Sequence, residues 1–226
     1  MYRIYLTIVV LFCGNFAFAQ NNFLSLEESA AGSGAITIAV SGLDEEDGNN
    51  YFSEADKNEK RGDLNDALTL FGKAAFEYNS SKKFALYGSA LMRLSHVHFL
   101  MEHYTEAEQV VLNVALKNYS KIGSRNGQMN AYSQLGKIYF ASNKLTQSLW
   151  FYTQQGILAQ QLKDYTSYIA SLLGIMNVKI KRKEYKLATK DINRIELLAK
   201  NSNINQFKRE IRDARSLISG KQSFKK

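Results

Sequence analysis

The chain has 226 residues, 45% of them hydrophobic, so it can bury a substantial core. It has no proline, which favours helices joined by short connections over a loop-rich or all-β chain. The formal charge of +8 is unevenly placed, and the single cysteine excludes a disulfide within the chain.

Residues 1–19 read as a secretory signal. MYR is a short basic start, IYLTIVVLFC an apolar run, and Ala17-Phe18-Ala19 the small-x-small pattern that precedes cleavage. Cleavage is expected before Gln20, giving an exported, periplasmic, secreted or membrane-peripheral protein. The run is too short for the ~20 residues of a spanning helix. Cys13 would leave with the signal. The bulky Phe12 before it disfavours lipid attachment. The mature chain would then carry no thiol for catalysis or metal binding.

Residues 20–50 are rich in Gly, Ser and Asn and hold six acids with no Lys or Arg. They read as a flexible acidic arm in which Ile36–Val40 could form a short strand or dock on a neighbour.

From Tyr51 the pattern is helical and repeats. Leu64, Ala67, Phe71 and Ala74 step by three, four and three, as on one helix face. The same steps join Tyr104, Ala107, Val111 and Val114. They join Leu145, Ser148, Tyr152 and Gln155, and again Tyr185, Ala188, Ile192 and Ile195. Corresponding residues lie 40, 41 and 40 positions apart. Each such helix follows another. Those first helices carry Phe52 and Ala55; Leu91, Leu94 and Ser95; Tyr132, Leu135, Gly136 and Tyr139; and Leu172, Ile175 and Met176. Connections such as 61–63 and 141–143 are short and polar, so each pair is an antiparallel hairpin. The hairpins span about 51–82, 83–122, 123–163 and 164–200. A covering helix is expected over 201–219, with Ile204, Phe207, Ile211, Ala214 and Ile218 on one face. A basic tail, 220–226, follows.

Gly136 stands at mid-helix, where glycine costs ~1 kcal/mol relative to alanine. In phase with it stand Ala55, Ser95 and Met176. Three of the four are small, so the position reads as a close contact between the two helices of a hairpin. On that reading Gly136→Leu overpacks while Gly136→Ala is mild.

Tyr132-x-x-Leu135-Gly136-x-x-Tyr139 resembles the first half of the tetratricopeptide-repeat signature. Ala67-x-x-x-Phe71 followed by Ala74 resembles the second half. The resemblance covers about residues 50–200. The chain departs from the family in its longer period, in lacking the terminal Pro, and in Glu102 standing where a turn Gly is usual. The resemblance implies an all-α, right-handed solenoid whose first helices line a concave groove that binds a peptide or partner helix, without catalysis. Carried over copy by copy, the groove face is Phe52, Asp56 and Glu59; Met92, His96, Phe99 and Leu100; Ser133, Lys137 and Phe140; and Leu173, Asn177 and Ile180. Long-period arrays of this family also form extracytoplasmic input modules of bacterial sensor kinases and regulators. The chain could be a stand-alone or truncated relative of those. No recurrent Lys/Asn pairing across the first helices suggests a clamp for a terminal carboxylate.

His96, His98 and His103 cluster in sequence, but none are spaced i, i+4, the two-histidine metal pattern on a helix. No nucleophile elbow, phosphate loop or dinucleotide fingerprint occurs, and GSG at 32–34 lacks a strand-to-helix context. Asp63/Asp66 and Glu106/Glu108 sit at helix starts, where acids favour the helix dipole. Neither metal nor cofactor is expected.

From Lys179 to Lys226 there are fifteen basic and five acidic residues. Lys179, Lys181, Arg182, Lys183, Lys208, Arg209, Arg212 and Arg215 form a basic end. It reads as a solvated face, or as a surface for an acidic partner or an anionic membrane. Nucleic acid is not expected, because export would remove the protein from it.

Overall fold

The computed structural model describes residues 45–223. The expected signal, the segment Ile36–Val40 and the last residues of the tail lie outside this range.

The pair α1 (Glu45–Arg61) and α2 (Leu64–Ser80) opens the array. Next come α3 (Phe84–Leu100) and a long rod made of α4 (Tyr104–Gln109), a π-helical turn (Val110–Ala115) and α5 (Leu116–Lys121). The third hairpin is α6 (Arg125–Ala141) with α7 (Leu145–Gln161), and the fourth α8 (Tyr165–Lys181) with α9 (Tyr185–Asn201). Helix α10 (Lys208–Ser223) packs on α9 and α8. Each helix packs on its sequence neighbours, and the first helices α3, α6 and α8 also touch in succession, giving an all-α, right-handed solenoid of four hairpins and a covering helix. Helix α1 begins at Glu45, so Glu45, Glu46 and Asp47 of the acidic cluster occupy its first turn.

The period has a simple origin. Helices α1, α2, α3, α6, α7, α8 and α9 each have 17 residues. Between α2 and α9 the turns have three residues, so the half-unit is 20 residues. The middle residue of each three-residue turn has positive φ: Lys82, Glu102, Gly123, Asn143, Lys163 and Lys183; so do Gly62 in the two-residue turn after α1 and Asn203 after α9. Each turn is a Schellman motif. After α3, His103 N–H donates to His98 O at 2.9 Å and Glu102 N–H to Phe99 O at 3.0 Å. After α7, Asp164 N–H donates to Ala159 O and Lys163 N–H to Gln160 O. In both turns the last two amides are used, so a proline at either position would remove a hydrogen bond.

The one interval of 41 is the π-turn. The rod Tyr104–Lys121 is one residue longer than its counterparts, and Leu116 N–H donates to Val111 O, five residues back. One inserted residue in an α-helix produces this bulge. It corrects the expected inner face of this helix. Val114 is 36% exposed, and Ala115, fully buried, takes the place held by Ala74 and Ile195.

Of the other expected inner positions on these second helices, Ala67, Phe71, Ala74, Ala107, Val111, Ser148, Tyr152, Gln155, Ala188, Ile192 and Ile195 are buried, while Leu64, Tyr104, Leu145 and Tyr185 at the helix starts are half-buried. Met176 is 1% exposed and fills the slot of Ala55, Ser95 and Gly136. At this slot the two helices of a hairpin touch. Ser148 Oγ donates to Gly136 O at 2.8 Å, and Ser95 Oγ to Ala107 O at 2.9 Å. The covering helix is corrected at its start. Ile204 and Phe207 belong to the connector before α10, although both pack on the same core as Ile211, Ala214 and Ile218.

Candidate functional site

At the N-terminal end the first helices are tied by charge. Arg93 of α3 reaches Asp56 Oδ1 at 2.5 Å and Glu59 Oε2 at 2.7 Å on α1. Lys60 holds Asp56 from the other side at 2.5 Å. The Lys60 hydrogen bond, helped by Arg93, lowers the Asp56 carboxyl below its ordinary range against the effect of burial. Asp56 and Glu59 are therefore committed to each other's helix neighbours. Arg93, which the repeat pattern did not single out, organises them across 34 to 37 residues of sequence. Phe52 packs edge-on against Phe71, with ring centroids 5.2 Å apart.

His96 Nε2 lies 3.7 Å from Glu59 Oε1. Burial nevertheless lowers the His96 pKa; Glu59 opposes this, and Arg93 and Lys137 reinforce it. Phe99 stacks on His96 and packs 5.8 Å from Tyr104, so it is half-buried within the array. Met92 packs against the same core, while Leu100 is 44% exposed.

Farther along, α6 and α8 bring four predicted residues together. Ser133, Lys137, Leu173 and Asn177 line one concavity of about 240 Å³ with Tyr152 and Gly174. Phe207 and Glu210 add its last wall. No repeat signal marks these two, because they lie beyond the fourth hairpin. Lys137 and Asn177 are exposed, and Leu173 is buried at the base. The lining offers an amine, an amide, a hydroxyl and a carboxylate around apolar surface, which suits a bound segment presenting one side chain. Phe140 and Ile180 stay outside this concavity and are half-buried. Lys181 Nζ sits 4.7 Å over the Phe140 ring and donates to Phe140 O at 3.0 Å.

Much of the basic end is internally paired. Lys179 meets Asp191 at 2.6 Å, Arg182 meets Glu184 at 3.0 Å, Arg209 meets Asp213 at 3.8 Å and Arg215 meets Glu196 at 2.8 Å. Lys183 is the left-handed turn residue after α8. Lys208 and Arg212 instead line a cleft between α9 and α10. Among the described residues no helix is long and apolar enough to cross a membrane.

No protein-family model matches the sequence. No curated protein matches it either. Solved structures do match in fold. The crystal structure of the apo form of RapI superposes with a TM-score of 0.64 at 10% identity, over 79% of this chain and 71% of that one. The crystal structure of BtubC (BKLC) from P. vanneervenii gives 0.63 at 12% identity, over 70% of this chain and 65% of that one. At such identities the likeness is one of architecture.

Proposed function

We propose that this chain is an exported tetratricopeptide-repeat protein that acts as a non-catalytic scaffold, holding a peptide or helix of another protein along its first helices. The repeat signature around Tyr132–Tyr139 supports the family, and Met1–Ala19 supports export. The observation that carries the binding role is the concavity of Ser133, Lys137, Leu173 and Asn177, assembled from two successive first helices. An apolar base with convergent polar groups is the usual form of a recognition pocket.

A photo-crosslinking residue placed at Ser133 or Asn177 in the native host should capture a protein that the same residue at Thr153, exposed on the second helix α7, does not. Ser133→Arg with Lys137→Glu, which fills the concavity and reverses its charge, should abolish that capture while leaving the melting temperature near wild type. Equal capture at all three positions overturns the proposal.

A further inference from the structure

The turn between α9 and α10 is unlike the others. It spans residues 202–207, six residues where the preceding turns have three or fewer. The longer connector sets α10 back from α9 and opens a concavity of about 510 Å³. Its apolar base is Ala199, Ile204 and Ile211. Its walls carry Lys200, Lys208 and Arg212. Arg215 and Glu196 also line it, but they pair with each other. Among the described residues no carboxylate lies in ion-pair range of Lys200, Lys208 or Arg212.

Three cations with no ion-pair partner among the described residues surround a half-open cleft with an apolar base. A solvated face needs no cavity. A bilayer surface is flat on this scale and meets cations spread over an exposed helix face. A cleft lets one apolar side chain enter and flanking carboxylates meet the walls. Lys200, Lys208 and Arg212 are exposed, so their attraction for those carboxylates steers the segment and is screened by salt.

We infer that the α9–α10 cleft is a docking site for an acidic segment of a partner protein that inserts an aliphatic or aromatic anchor. This site is separate from the groove on α6 and α8, and either can fail without the other.

The test uses the full chain and a short fluorescein-labelled peptide of leucine and glutamate, read by anisotropy. Its glutamine counterpart is the control. The wild-type protein should bind the glutamate peptide with an affinity that falls as salt rises. The glutamine peptide should bind about tenfold more weakly or worse. Lys208→Glu with Arg212→Glu should weaken binding by a similar factor. Asn205→Trp, which fills the cleft without changing charge, should weaken it too. Residues 205, 208 and 212 are exposed, so thermal melting should confirm that all variants fold. No binding of the glutamate peptide, or undiminished binding by both variants, overturns the inference. Vesicles of phosphatidylglycerol in phosphatidylcholine form the second arm. Binding to these but not to the peptide, lost in the same variants, overturns it in favour of a membrane surface.

Discussion

The ring of Tyr152 lies against the backbone of Gly174. A Cβ at Gly174 would stand 2.6 Å from Tyr152 Cδ1 and Cε1, closer than real Cβ contacts come. The same ring atoms meet Gly136, where a Cβ would stand 2.7 Å away. Tyr152 is thus held between two helices of successive hairpins, 8% exposed, with burial pushing its hydroxyl up to about 12. Tyr119 is held in the same way between Gly88 and Gly127.

This clasp changes the expectation for Gly136. Alanine there is not mild, because its Cβ would meet ring atoms that are already tight against Gly174. Gly136→Ala and Gly174→Ala should each destabilise by about 1–3 kcal/mol, overpacking outweighing the helix-propensity gain. Gly136→Leu should cost more. At Gly72, also mid-helix, a Cβ meets nothing within 4 Å, so Gly72→Ala should stabilise by about 0.5–1 kcal/mol. Urea denaturation measures all four. A neutral Gly174→Ala would show that the ring has room.

The π-turn makes a deletion tolerable. Removing Val114 would shorten the rod to the length of its counterparts and let it run as a plain α-helix. Ala115 and Tyr119 would then fall on the positions that Ala74 and Tyr78 hold in α2. The deletion variant should fold with a melting temperature within a few degrees of wild type. Removing Gln154 from α7 is the contrast. It would rotate the rest of a regular helix by about 100° and turn Gly156 and Ala159 off the core. That variant should not fold. Unfolding of the Val114 deletion would show that the bulge is needed for packing.

Glu102 holds φ at 60° in its turn, a conformation that costs a side-chain-bearing residue roughly 1 kcal/mol. Glu102→Gly should stabilise by about 0.5–1 kcal/mol, less the added freedom of the unfolded chain. His103→Pro should be strongly destabilising, because it removes the amide that donates to His98 O. Chemical denaturation of the two variants reads both outcomes, and a destabilised glycine variant would contradict the turn geometry.

Stability should fall between pH 7 and pH 5. Burial lowers the pKa of both His96 and His98, with Glu59 and Glu106 opposing it. An unfolded histidine titrates near 6.5. Below that pH the unfolded chain takes up protons that the folded chain resists, so stability is full above the window and declines as pH falls through it. His96→Gln with His98→Gln should flatten the decline in melting temperature. Asp56 and Asp164, whose pKa values are lowered, act in a separate window. Their contribution is present above about 3.8 and lost below it. An unchanged slope in the double variant would show that neither histidine is responsible.

The fold was legible because apolar residues recur every three or four positions and the whole pattern recurs about every 40. The small slot of Ala55, Ser95 and Gly136 marked the register, since a close approach of two helices favours small side chains. Met176 could be placed only from the packed structure, where it fills the same slot. Val114 misled because one inserted residue changes helix phase without breaking the three-four pattern around it. Of the groove residues, Ser133, Lys137, Leu173 and Asn177 share a cavity, while Phe99 and Phe140 are half-covered by Tyr104 and Lys181.

By itself the sequence determined a repeated helical hairpin, because helix phase is a local property read within a few turns. Only the tertiary structure decided that Arg93 binds Asp56 and Glu59, that Phe207 and Glu210 complete one concavity, and that Lys200, Lys208 and Arg212 surround another. Those contacts depend on how far one helix sits from the next, which is set by packing and by turn length between elements rather than by the period within them.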